Sequence, residues 1–130
     1  MKTAVYTGSF DPVTLGHLNV IQRGSRIVEK LIVGIGVNSE KRGLFDPGER
    51  LELVQRVTQH LENVEVKTFE GLAVNFVQQS GAKVMLRGVR PMTDIAGEFT
   101  MMMANRRLND DLETVFLMAD GEFSLSLIHI

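Results

Sequence analysis

The residues of this 130-residue chain best placed to do chemistry are cations, hydroxyls and small loop residues, gathered in three short segments. The first is "GSFDPVTLGH", Gly8 to His17, which follows a short apolar run. Gly8 lets the backbone leave a strand at any φ, Ser9 offers a hydroxyl and a backbone N–H, and Gly16 lets a ligand approach the first turn of a helix. His17 falls in that first turn, where unbonded N–H groups and the positive end of the helix dipole favour an anion. Its imidazole can donate a hydrogen bond to a phosphoryl oxygen, a bond that strengthens as charge builds there in a transition state. The plainer alternative is that His17 only closes the helix start. The second segment, "NSEKRGLFDPGER", carries Lys41 and Arg42, either a solvated turn or a cation pair for an anion. The third, "RGVRPMTDIAGEF", carries Arg87 and Arg90, which are costly to order unless a substrate anion, or a carboxylate such as Asp94 or Glu98, meets them. Neither a Gly-X-Gly-X-X-Gly loop nor a Walker pattern is present. With no cysteine, and no base-and-orienter pair evident for Ser9, the pattern points to handling phosphates rather than to a covalent intermediate.

These segments need a scaffold, and the periodicities supply one. Apolar β-rich runs at Thr3–Thr7, Leu31–Val37, Val64–Phe69, Lys83–Gly88 and Glu113–Met118 read as strands. Helical spacing lies between them: Leu15–Val28 with Leu18, Ile21 and Val28 on one side, a helix opened by Asp46, Pro47 and Glu49, then Leu72–Gln79 and Asp94–Leu108. In the second helix Leu51, Val54, Val57 and Leu61 share a face. Strand and helix in alternation predict an α/β fold: a small doubly wound, Rossmann-like five-stranded parallel sheet with helices on both faces. The three segments then fall at the carboxyl ends of strands, where such sheets bind ligands. Met92 and Met101–Met103 read as core or interface packing.

Composition narrows the function class. With 44% hydrophobic and 23% charged residues the chain is of ordinary globular make-up, expected to form one domain. A formal net charge of −2 gives no overall positive field for nucleic acid or an anionic membrane, so neither is an expected partner. The absence of cysteine fits a reducing compartment, and the longest apolar run, "LIVGIGV", is too short to span a bilayer, so a cytoplasmic location is expected.

A serine soon after the first strand, followed by "TLGH" (Thr14 to His17), resembles the nucleotidyltransferase superfamily, whose signature is a Thr or Ser after that strand and a His-X-Gly-His type element at the next helix. Within it the sequence is similar to the bacterial phosphopantetheine adenylyltransferase family from Met1 to about Phe123, leaving Ser124 to Ile130 as an atypical or truncated tail. The resemblance implies transfer of the adenylyl group of ATP to 4′-phosphopantetheine, giving dephospho-coenzyme A and pyrophosphate, by direct in-line displacement. It assigns catalysis to His17, Lys41 and Arg90. It assigns ATP binding to Ser9, Phe10, His17, Gly88, Val89, Arg90 and Glu98, and the acceptor to Ser9, Lys41, Ala73, Arg87 and Asn105. It further implies Mg²⁺ held mainly by the nucleotide and water, with no metal ligand from the protein, and a homohexamer. Ala96 and Gly97 stand where the family usually has Glu and Tyr, and "SLSLIHI" stands where it has a serine-rich turn and a further helix. Two other readings share these residues: a related nucleotidyltransferase with another acceptor, such as nicotinamide mononucleotide, and a nucleotide-binding remnant disabled by its altered end.

Overall fold

Val5, Ile32 and Val33, flanked by further apolar residues, pack between two helical layers because their strands are buried on both faces, as parallel pairing requires. The computed structural model describes residues 2–38, 43–89 and 95–118. Its five strands are β1 (Thr3–Gly8), β2 (Lys30–Val37), β3 (Val64–Glu70), β4 (Val84–Val89) and β5 (Glu113–Met118). They alternate with α1 (Leu15–Ser25), α2 (Pro47–Thr58), α3 (Ala73–Gln79) and α4 (Ile95–Leu108). The sheet is parallel throughout in the order β3-β2-β1-β4-β5, with Tyr6 of β1 level with Val33 of β2 and Leu86 of β4. The predicted doubly wound α/β fold is the observed one. No described helix is long and apolar enough to cross a membrane.

The two-residue period of the strands divides the core. Ala4 and Tyr6 face Val20 and Ile21 of α1 and Val54 of α2, while Val5, Ile32 and Met85 face Val74, Phe76 and Val77 of α3. Val54 is fully buried, and Leu51 and Val57 pack beside it, as their spacing predicts, whereas Leu61 joins the same cluster from the connection, because the helix ends at Thr58. Asp46 and Glu49 close the predicted capping box at the start of α2.

The first helix is shorter than its spacing predicts. It stops at Ser25, where Arg26 and Ile27 bond back three residues and tighten the last turn, and Val28 enters the core from the connection. Its buried face is Gly16, Val20, Ile21 and Gly24 rather than Leu18, and a Cβ on Gly24 would sit 2.7 Å from Leu86 Cδ1. The helix therefore lies close against the sheet. The methionine run does not pack in the core: Met101 and Met103 are exposed and Met102 is half-buried.

On the opposite face Phe69 and Phe76 stack at 4.5 Å with their planes 9° apart, directly over Gly34. A Cβ at Gly34 would lie 2.4 Å from Phe76 Cε2 and 3.2 Å from Phe69 Cδ1. Gly34→Ala is expected to destabilise the fold by about 1–3 kcal/mol through overpacking, read from the urea midpoint. An unchanged midpoint would mean that the ring pair yields without cost.

Candidate active site at the strand-order switch

The strand order reverses at β1, which has β2 on one side and β4 on the other, so the crevice at the carboxyl ends of β1 and β4 is where a ligand of this fold sits. The connection from β1 to α1 forms its floor. Ser9 is exposed, and Phe10 follows with φ 47°, a left-handed conformation rare for a bulky side chain. Burial holds it there: the Phe10 ring is 1% exposed, set edge-on to Tyr6 at 5.3 Å and to His17 at 4.8 Å. Phe10 can therefore meet a ligand only through its backbone.

Thr14 is the N-cap of α1, and its hydroxyl accepts from the backbone N–H of His17 at 3.1 Å. In return the Thr14 N–H donates to Nδ1 of His17 at 2.9 Å. This is a capping box in which an imidazole stands where Glu or Gln is usual. Its chemical consequence is a fixed tautomer: a nitrogen that accepts from an amide cannot itself carry hydrogen, so the ring hydrogen of His17 is on Nε2, a donor. The first turn of α1 holds no acidic side chain, so the helix itself places no carboxylate at its positive end.

Across the crevice Arg87 and Glu98 form a bidentate pair, Nε to Oε1 at 2.7 Å and Nη2 to Oε2 at 3.1 Å. Nη1 of Arg87 also donates to the Thr7 carbonyl. Of the two alternatives open for Arg87 in the sequence, the carboxylate partner is thus present, and it is Glu98. The pair braces β4 against α4 and shares one pocket with Met101, Met102 and Asn105. Burial pushes the Tyr6 phenol well above its usual range, with Arg87 opposing and Glu98 adding to the shift, so Tyr6 stays protonated and is no general base.

Gly88 is a packing glycine, since a Cβ there would meet Val20 Cγ2 at 2.9 Å, and the Val89 side chain is buried, leaving only backbone groups for a ligand. Ala73 begins α3, half-buried against the second core cluster and apart from the residues lining the Arg87 pocket. Lys41 and Arg90 lie outside the described residues, as do Asp94 and the tail from Ser124. Among the described residues no three His, Asp or Glu side chains gather as a metal site.

Three contributors escaped the sequence reading. Asp11 accepts from the N–H groups of Leu44 and Phe45, both at 2.8 Å, a contact too distant in sequence to foresee. Arg50 is buried beneath the loop, and a signal existed: it lies four and seven residues before Val54 and Val57, on the apolar face of α2. Thr14 was legible as the cap from Thr-X-X-His, had histidine been allowed in the role of Glu.

The cytidylyltransferase-like family model matches residues 5–126. A phosphopantetheine adenylyltransferase from Rhodopirellula baltica is 66% identical over 121 residues, covering 93% of this chain and 68% of that protein. One from Clostridium botulinum is 50% identical over 124 residues, covering 95% of this chain and 78% of that protein. Among solved structures, a putative nicotinate-nucleotide adenylyltransferase from Vibrio parahaemolyticus shares the fold with a TM-score of 0.67 at 18% identity, over 92% of this chain and 76% of that one.

The histidine cap can be separated from any chemistry it performs. His17→Ala should lower stability by about 1 kcal/mol, the net worth of one hydrogen bond, while His17→Gln, whose amide can also reach back to Thr14, should restore most of it. Equal losses in urea titrations of the two variants would contradict the capping assignment.

Proposed function

Because the chain belongs to the phosphopantetheine adenylyltransferases, within the cytidylyltransferase-like family, we propose that it transfers the adenylyl group of ATP to 4′-phosphopantetheine. The observation that carries the mechanism is the Thr14–His17 box, which presents an Nε2–H donor at a helix start lacking any acidic neighbour in its first turn. A phosphate oxygen of phosphopantetheine attacks the α-phosphorus of ATP in line. A P–O bond forms, the bond to the β-phosphate bridge breaks, and pyrophosphate leaves with the electron pair, giving dephospho-coenzyme A.

The acceptor phosphate is already an anionic nucleophile, so the reaction needs no general base; it needs two anions held together and the developing charge stabilised. His17 donates to an α-phosphate oxygen. Lys41 follows charge between acceptor and reacting phosphate, and Arg90 holds the nucleotide phosphates. Ser9 positions both substrates from its exposed place at the end of β1, with Phe10, Gly88 and Val89 contributing backbone groups. Arg87 and Asn105 receive the acceptor in their shared pocket, and Glu98 acts at the nucleotide while keeping Arg87 oriented. Ala73 contributes backbone to the pantetheine arm.

Magnesium enters as part of the nucleotide substrate, because this ion prefers phosphate and water oxygens to a cage of protein carboxylates. A cytoplasmic homohexamer completes the proposal. Phe99, Met101, Met103 and Leu108 leave α4 with exposed apolar surface, which supports self-association.

The test is pyrophosphate release from Mg²⁺-ATP, with 4′-phosphopantetheine and nicotinamide mononucleotide compared as acceptors. Release dependent on phosphopantetheine is expected, and release with the mononucleotide alone would overturn the acceptor. In the same assay His17→Gln, which keeps the cap, should lower kcat by about 10²–10³-fold with KM for ATP nearly unchanged. A rise in KM at constant kcat would instead make His17 a binding group.

A further inference from the structure

Arg50 is in the first turn of α2, where an arginine ordinarily points to solvent, yet it is only 7% exposed. Its Nη1 donates to the Ser9 carbonyl at 3.0 Å and to the Gly36 carbonyl at 3.3 Å. Its Nε is buried with no hydrogen-bond partner, and among the described residues no carboxylate forms an ion pair with it. A buried guanidinium that has no ion pair among the described residues, only a long-range pull from Asp46, and an Nε without an acceptor is a poor source of stability; a methionine would fill much of the same space without the desolvation cost. Its place in the fold needs another explanation.

The carbonyls it joins supply one. Ser9 opens the β1–α1 loop, and Gly36 lies near the end of β2, the neighbouring strand. Arg50 thus ties the residue that starts the loop to the sheet from below. The far side of the same loop is held by Asp11, whose carboxylate grips Leu44 and Phe45 just before α2. The fit at Asp11 is close, since a Cβ on Gly43 would fall 2.0 Å from its Oδ2. Between these two anchors lies Phe10, in its left-handed conformation with its ring against His17. The Ser9 carbonyl belongs to the peptide that leads into Phe10, whose ring lies edge-on to the imidazole at 4.8 Å.

We propose that Arg50 is a positioning residue for adenylyl transfer: by bonding the Ser9 and Gly36 carbonyls it fixes where Ser9 and, through Phe10, His17 stand relative to the nucleotide. This rests on the adenylyl-transfer reading above. A guanidinium suits the task because its planar fork is pre-organised and rigid, whereas a lysine ammonium on a flexible stem keeps the charge without the fixed geometry.

The experiment compares wild type with Arg50→Lys for kcat, KM for ATP and thermal midpoint, with rates normalised to folded protein. Arg50→Lys is expected to keep most of the thermal midpoint and the ATP KM within about threefold, while kcat falls by about 10²-fold, the effect of a misplacement near 1 Å. An Arg50→Lys enzyme with kcat within twofold of wild type would overturn the proposal, as would a loss explained wholly by the unfolded fraction. If Arg50→Lys does not fold, Asp11→Asn decides: it loosens the same loop from the other side, leaves the buried cation in place, and should lower kcat at least tenfold with KM for ATP held. Unchanged kcat in Asp11→Asn would then overturn it. An inactive wild type would overturn the adenylyl-transfer reading and this inference together, whereas an active wild type beside an equally active variant would overturn this inference alone.

Discussion

The reciprocal hydrogen bonds between Thr14 and His17 are the constraint on which the rest of the site depends. One bond starts a helix by satisfying an N–H that would otherwise be orphaned, and the other assigns the imidazole hydrogen to Nε2. One pair of residues therefore both starts the helix and sets the tautomer of the imidazole. The surrounding fold serves to place that pair: close packing of α1 on the sheet through Gly16 and Gly24, the buried Phe10 ring beside the imidazole, and the switch in strand order that opens the crevice.

Electrostatics at the site are local rather than global. The chain carries a formal charge of −2, yet its crevice begins with a helix N-terminus that has no acidic residue in its first turn. Glu98, the carboxylate nearest in role, has both oxygens bonded to Arg87, so its charge is matched by a guanidinium before any substrate arrives. Tyr6, the phenol beneath, is kept neutral by burial. Such an arrangement suits a reaction in which the nucleophile is already ionised and the protein's part is to orient substrates and absorb charge.

Much of this was legible in the sequence, for physical reasons. The central strands β1 and β2 announced themselves because both faces are buried, and α2 because its cap, its proline and its apolar spacing agree. The end of α1 was not legible, because Val28 keeps the helical spacing although the chain has already turned. Side-chain pairing across the fold was only half visible: Arg87 was expected to meet an anion, but whether protein or substrate supplied it depended on the distance from β4 to α4. Arg50 hid behind its own charge, which reads as a solvated residue unless its register with Val54 and Val57 is weighed.

Nitrogen-15 NMR of the His17 ring, recorded with and without Mg²⁺-ATP, is the most direct measurement of what this site rests upon. A ring with hydrogen on Nε2 and a bare Nδ1, whose Nε2 resonance moves when nucleotide binds, is the expected result. A hydrogen on Nδ1, or an Nε2 resonance indifferent to ATP, would contradict both the cap and the donor it creates.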